Sequence, residues 1–416
     1  MRPGRHILGR LLGGKPPRHC RASEREAERE REPTSHPTRG SMEIMTTSTP
    51  EPRLLLGPGP SNAHPRVLAA MAQPLLGHLD PAFLALLDEA QARLRRLLGT
   101  RNPITIPLSC TGSGGMEACL ANLLEPGDAI VVGVAGVFGE RMCDVAARIG
   151  AQVTRVDAEP GTVLETAAMA EAIENARPRV VAFVHAETST GALQPVAEIA
   201  RAGRGAGALV LLDCVTSLGG LPVELDAWGI DAAYSGTQKC LSCPPGLSPA
   251  SFSPRALERI GKRSRRVQSW YFDVSLLAAY YGSERVYHHT APISAIFGLL
   301  EALRLVEEEG LPARFERHRR AAEGLVAGLE PLGFAPLVAP QHRLPMLTSV
   351  TLPEHVRSHG EAALRRRLLD RHGIEVGGGL GKLAGRIWRI GLMGENARQE
   401  NVDRLLAALR TELEAL

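Results

Sequence analysis

From about residue 100 onward, short apolar runs alternate with amphipathic stretches of helical period, and this alternation limits the fold more than any other feature of the chain. Apolar residues cluster over 104–109, 129–134, 152–157, 180–184 and 209–213, each a run of strand length. Between them, 114–124, 138–149, 165–176 and 195–205 carry apolar residues three and four apart, the spacing of one helix face. A helix between two strands returns the chain to the same edge, so the strands pair in parallel and both sheet faces are covered. The expectation is an α/β fold with a mostly parallel sheet. A long helix over 292–310 leads out of it. From 311 the pattern runs helix, strand, helix, two strands (around 374–377 and 387–392) and a final helix, for which Asn396 is placed as N-cap. This predicts a large domain over 71–310 and a smaller C-terminal α/β domain over 311–416.

The rest of the composition narrows the function. The chain has 416 residues, 44% hydrophobic and 22% charged, enough to build a sizeable core. No stretch has the roughly 18 uncharged apolar residues that a membrane span needs, so no membrane partner is expected. The net charge of +3 is too weak to suggest nucleic acid. Residues 1–50 hold ten Lys/Arg and six Glu, a surplus of +4 that leaves −1 for the remainder. With few large apolar residues, this segment reads as a disordered leader; Met42 and Met45 offer later starts, so it also reads as an overlong gene prediction. Seven cysteines at irregular spacing suggest a reducing, cytoplasmic setting. Cys240 and Cys243 form a lone CxxC followed by Pro244-Pro245-Gly246, which is turn chemistry, and no metal site is expected. His288 and His289, read as neighbours on a strand, would face opposite ways.

Ligands of a parallel sheet sit beyond the C-terminal strand ends, so the residues there carry the functional reading. After 104–109 comes Cys110-Thr111-Gly112-Ser113-Gly114-Gly115, a small-residue loop opening a helix. Such a loop is either a tight turn or a cup of free N–H groups for an anion such as phosphate. It lacks the third glycine of a dinucleotide fingerprint, because position 117 is Glu117, and it lacks the Gly-Lys-Ser/Thr of a P-loop. The strand over 209–213 ends in Asp213, and Glu187-Thr188-Ser189-Thr190 follows the strand over 180–184. A short strand over 231–235 precedes Gly236-Thr237-Gln238-Lys239. Only four lysines occur among 48 basic residues, so a lysine beyond an apolar strand is a candidate for amine chemistry that arginine cannot supply. One cofactor uses an amine, an anion cup, a carboxylate and an aromatic face together: pyridoxal 5'-phosphate.

With those residues in view, the chain resembles the alanine–glyoxylate / serine–glyoxylate aminotransferases, class V pyridoxal-phosphate enzymes of fold type I. The resemblance runs from Leu54 to the C-terminus. It is most specific at Leu54–Asn62 (LLLGPGPSN), Ser235–Lys239 (SGTQK), Tyr287–Thr290 (YHHT) and Trp388–Leu392 (WRIGL). It implies that Lys239 forms the imine with the cofactor aldehyde and, once released, moves the substrate proton. Asp213 would pair with the pyridine nitrogen. Phe138 would stack on the ring, Val215 would pack its other face, and Thr188 would bond the ring hydroxyl. Thr111, Gly112, Ser113 and Gln238 would cradle the phosphate. Tyr287 and Thr290 would reach the phosphate of a neighbouring subunit, which makes a homodimer with shared active sites, and residues 51–70 would extend toward that subunit. Arg389 would clamp the substrate carboxylate, with the backbone of Gly59 closing over a small substrate. The implied reaction passes an amino group from alanine or serine to glyoxylate. Gly377–Gly381 would form a flexible loop near the entrance. The alternatives are another class V enzyme, such as a different small amino-acid transaminase or a desulfurase, and a non-catalytic scaffold of the same fold. Cys240 and Cys243 stand too close to Lys239 for a desulfurase's mobile cysteine loop.

Overall fold

The computed structural model describes residues 51–416; the expected leader, residues 1–50, lies outside the described residues. Seven strands form the main sheet, in the order Ile104–Leu108, Ser248–Phe252, Ala232–Tyr234, Leu209–Asp213, Val180–Val184, Ala129–Val134 and Gln152–Asp157. Ser248–Phe252 alone runs against the rest, pairing antiparallel with both neighbours. The central strands Val180–Val184 and Leu209–Asp213 are buried at every position, which is why they read as unbroken apolar runs. Gln152–Asp157 is one of the two edge strands, and its polar residues face solvent. Helices follow the strands, and several end where a glycine can turn left-handed. Gly150, at φ +93°, closes Val137–Ile149.

A second sheet has five strands, in the order Leu54–Leu56, Ile374–Gly378, Ile387–Gly391, Leu347–Thr351 and Ala335–Pro336. Its core lies under helices Leu311–Leu329, Glu361–His372 and Gln399–Glu414 and is centred on Trp388, which is fully buried. The indole N–H of Trp388 donates to Glu361 Oε2 at 2.9 Å, so the one polar atom of this large side chain is satisfied. The N-terminal segment adds the edge strand, Leu54 to Leu56 aligning in parallel with Ile374 to Val376. Asn396 does not cap the last helix. Arg398 holds that position, and Asn396 Nδ2 instead donates to the Leu55 carbonyl at 2.7 Å, fastening the N-terminal strand. Nor is Gly377–Gly381 a loop throughout: Gly377 and Gly378 belong to a strand and pair with Arg389 and Trp388.

Candidate active site

The C-terminal ends of the parallel strands open onto a cavity. Nine of the residues expected at a site line it together: Thr111, Gly112, Ser113, Phe138, Thr188, Asp213, Val215, Gln238 and Lys239. They arrive from five strand ends and the turns and helix starts that follow them, as the sheet topology requires.

The helix Gly112–Leu123 begins at this cavity. Thr111 holds its N-cap without using its side chain, so the first-turn N–H groups and the Thr111 hydroxyl remain available. A side chain at Gly112 would stand 3.0 Å from Val215 Cγ2, so glycine keeps this wall open. Gln238 Oε1 is buried without a hydrogen-bond partner, an acceptor left over in a site otherwise well satisfied.

Asp213 is buried at the floor. Val215 N donates to its Oδ1 at 2.8 Å and the Tyr234 hydroxyl to its Oδ2 at 2.6 Å. Burial pushes its carboxyl up to about 6, while those two donors hold it from rising further. Lys239 is 8% exposed. Burial pulls its amine down to about 8; Cys240 and Asp213 act in the opposite direction and the Arg389 cation assists.

The N-terminal segment walls off the amine. Lys239 Nζ donates to the Pro58 carbonyl. Ser61 N donates to Gln238 O at 2.8 Å, and Ser61 Oγ donates to Lys239 O at 2.7 Å. Gly59, at φ +110°, lies so close that a Cβ there would stand 2.5 Å from Lys239 Nζ. The backbone of Gly59 therefore faces the amine within the same chain.

Arg389 is buried on strand Ile387–Gly391. Its Nε donates to Gly378 O at 2.8 Å and its Nη1 to Thr188 O at 3.3 Å. Among the described residues Nη2 has no acceptor, so one edge of the guanidinium is free for a carboxylate. Tyr287 and Thr290 do not line the cavity of their own chain; both are exposed, Tyr287 at 57%. His288 and His289 are not on a strand, and their Nδ1 atoms approach to 2.9 Å rather than facing apart.

Three contributors are absent from the sequence reading. Tyr234 fixes Asp213, and a tyrosine in a fully buried strand signals that its hydroxyl must find a partner. The Pro58 carbonyl carries no side-chain signal. Arg314 donates from Nε to Gly219 O at 2.9 Å and from Nη2 to Cys240 O at 2.6 Å, fastening the turn that follows Lys239. Only its burial, invisible before folding, distinguishes it from the other arginines.

Comparison with known proteins places this geometry. The family model described as aminotransferase class-V matches residues 54–405. The chain belongs to the class-V aminotransferases. An alanine–glyoxylate aminotransferase of Oryctolagus cuniculus is 42% identical over 366 residues, covering 87% of this chain and 93% of that one. An (S)-ureidoglycine–glyoxylate transaminase of Bacillus subtilis is 38% identical and covers 87% of this chain and 90% of its own length. The crystal structure of an alanine–glyoxylate aminotransferase from Nostoc sp. superposes with a TM-score of 0.87 at 51% identity, over 89% of this chain and 98% of that one.

Class-V aminotransferases use pyridoxal phosphate, and the fold is type I. The residues present fit the group. The open N–H cup and the free Thr111 hydroxyl suit an anionic end, Asp213 suits a cationic ring nitrogen, and Lys239 is a buried amine of lowered basicity. The described residues include no helix long and apolar enough to cross a membrane.

Proposed function

We propose that this class-V aminotransferase moves an amino group from alanine or serine to glyoxylate, giving glycine and pyruvate or hydroxypyruvate. The observation that carries the reading is the free guanidinium edge of Arg389, near enough for its charge to help lower the basicity of the buried Lys239 amine, a pair suited to a small α-amino acid. Bound pyridoxal phosphate supplies an electron-withdrawing ring that stabilises negative charge at the substrate α-carbon.

The chain's own residues do the rest. Thr111, Gly112, Ser113 and Gln238 hold the phosphate. Phe138 and Val215 pack the ring faces, Thr188 bonds the ring hydroxyl, and Asp213 keeps a positive charge on the ring nitrogen. Arg389 binds the substrate carboxylate through a forked contact. Lys239 Nζ takes and returns the α-proton, and its lowered basicity leaves an appreciable neutral fraction near neutral pH. Pro58 and Gly59 limit the space over the amine and exclude water, which suits a small substrate.

The two relatives named as alanine–glyoxylate aminotransferases support this acceptor and donor. The Bacillus subtilis relative supports a second donor, (S)-ureidoglycine, at the same site. Tyr287 and Thr290 are assigned to the phosphate of a partner subunit in a homodimer, supported by their exposure on either side of the His288-His289 pair, whose His288 stacks on Trp270, itself 61% exposed. A cytoplasmic setting is supported by six cysteines, all unpaired, among the described residues.

The test mixes holoenzyme with alanine, serine and (S)-ureidoglycine in single turnovers, assays the keto product, then adds glyoxylate. One donor should yield its keto product in amounts matching the sites, followed by glycine, and Lys239→Ala should yield neither. A holoenzyme that forms no keto product from any donor and no glycine refutes the reading.

A further inference from the structure

A cofactor phosphate monoester carries a charge between about −1.5 and −2 at neutral pH. The residues lining the cavity offer it little compensation. Lys239 is the single Lys or Arg among them, and its nitrogen is committed to the cofactor's other end. A further cation stands one contact outside. Arg141, at the start of the second turn of helix Val137–Ile149, is exposed. Its guanidinium carbon lies 5.1 Å from the centre of the Phe138 ring, and its Nη1 donates to Ser113 Oγ at 3.3 Å.

Most arginines of this chain that reach a neighbour reach a carboxylate. Arg141 bonds none among the described residues; its contacts are one residue of the anion cup and one ring of the cavity wall. The spacing of Phe138 and Arg141, three apart, puts both on one helix face, so the guanidinium covers the ring beside the cavity. Its charge also reaches the floor of the site. Burial dominates the upward push on the Asp213 carboxyl, and Arg141 is among the groups pulling it down.

We propose that Arg141 is a positioning residue that supplies positive charge to the anionic end of the cofactor: it orients the Ser113 hydroxyl toward the phosphate and braces Phe138 from outside. The proposal rests on the cofactor site described above. It implies that the cup is completed electrostatically by an exposed residue of the next helix, and that Arg141 discriminates the phosphorylated cofactor from its dephosphorylated form.

Apoenzyme, freed of cofactor, would be titrated with pyridoxal phosphate and separately with pyridoxal, following protein fluorescence, for the wild type, Arg141→Ala and Arg141→Lys. Because Arg141 is exposed, both variants should melt with the wild-type apoenzyme. Arg141→Ala should bind pyridoxal phosphate about tenfold more weakly, the scale of one charge-assisted contact, and should lose much less affinity for pyridoxal, which lacks the phosphate. Arg141→Lys should recover most of the loss, and added salt should narrow the gap between wild type and Arg141→Ala. Unchanged affinity of Arg141→Ala for pyridoxal phosphate overturns the proposal. An equal loss for both ligands also overturns it, because the residue would then act through the Phe138 ring alone. A wild-type apoenzyme that binds neither ligand overturns the underlying cofactor site as well.

Discussion

The state of the Lys239 amine is the sharpest quantity the structure offers. An amine attacks an aldehyde only when neutral, and burial lowers this one from 10.5 to about 8. At pH 7 the neutral fraction rises from about 0.03% to about 9%, a gain of roughly 300-fold, equivalent to about 3 kcal/mol. The side chain is 8% exposed, so solvent screens little of this. The assay is stopped-flow capture of pyridoxal phosphate by apoenzyme between pH 6 and 10, with borohydride fixation and peptide mapping to count only label at position 239. Capture should climb about tenfold per pH step up to roughly 8 and then level. Asp213 pulls the amine's pKa upward, so Asp213→Asn should move the rise to lower pH. The same shift has a stability signature. The folded amine releases its proton near 8 and the unfolded one near 10.5, so across that window the unfolded chain binds more protons. Apoenzyme stability should therefore rise with pH through this group. A rise in capture centred near 10, or movement to higher pH in Asp213→Asn, would refute the claim that burial sets the reactivity of this amine.

Two further substitutions probe the walls of the site. Gly59→Ala places a Cβ 2.5 Å from Lys239 Nζ at a φ of +110°, which should strain the backbone by about 1–2 kcal/mol. It should also displace the amine, lowering the apoenzyme melting temperature and slowing cofactor capture; wild-type values for both would show that Gly59 does not press on the amine. Arg389→Lys keeps the charge and loses the fork, so KM for donor and acceptor should rise about tenfold or more with a smaller change in kcat; an unchanged KM removes Arg389 from the substrate carboxylate.

Much of this architecture is legible in the sequence, for identifiable reasons. The strands Ala129–Val134, Gln152–Asp157, Val180–Val184 and Leu209–Asp213 have the bounds the apolar runs predict, because Gly, Pro and Asp residues punctuate them. Strand Ser248–Phe252 was not, because Ser-Pro-Ala-Ser-Phe has no apolar run. Its hydroxyls are satisfied only after folding, Ser248 Oγ by the Ser235 carbonyl at 2.6 Å and Ser251 Oγ by Asn102 Nδ2 at 3.0 Å. The three-residue strand Leu54–Leu56 exists through its pairing with residues some 320 positions away, which no local pattern encodes. At the site, Lys239 and Asp213 are legible because Asp213 ends a strand and Lys239 follows one, where topology places ligands. Tyr234, Pro58 and Arg141 act on neighbours fixed by the tertiary fold. The cap assigned to Asn396 failed for the same reason: Asn396 ends a short turn, Gly394–Asn396, two residues before the cap at Arg398, and there its Nδ2 meets the distant Leu55 carbonyl.

The turn after Lys239 is held from outside the main sheet, and that bears on how a pH profile of this enzyme divides among its groups. Arg314 grips Gly219 O and Cys240 O, while Ser242 Oγ accepts from Glu395 N at 2.8 Å. His318 ties this cluster to the segment Gly394–Asn396: Gly394 N donates to its Nε2 at 3.0 Å, so its Nδ1 must carry the proton that meets Arg314 O at 2.8 Å. Protonating Nε2 would break that contact, and burial pulls the His318 pKa down to about 3. Glu309, which pairs with both Arg314 and Arg317, is held at about 2; their charges and hydrogen bonds outweigh the upward push of burial. These groups of the clamp therefore keep their charge state above about pH 4. Changes in activity between pH 5 and 9 then do not arise from titration of Glu309 or His318 in this clamp.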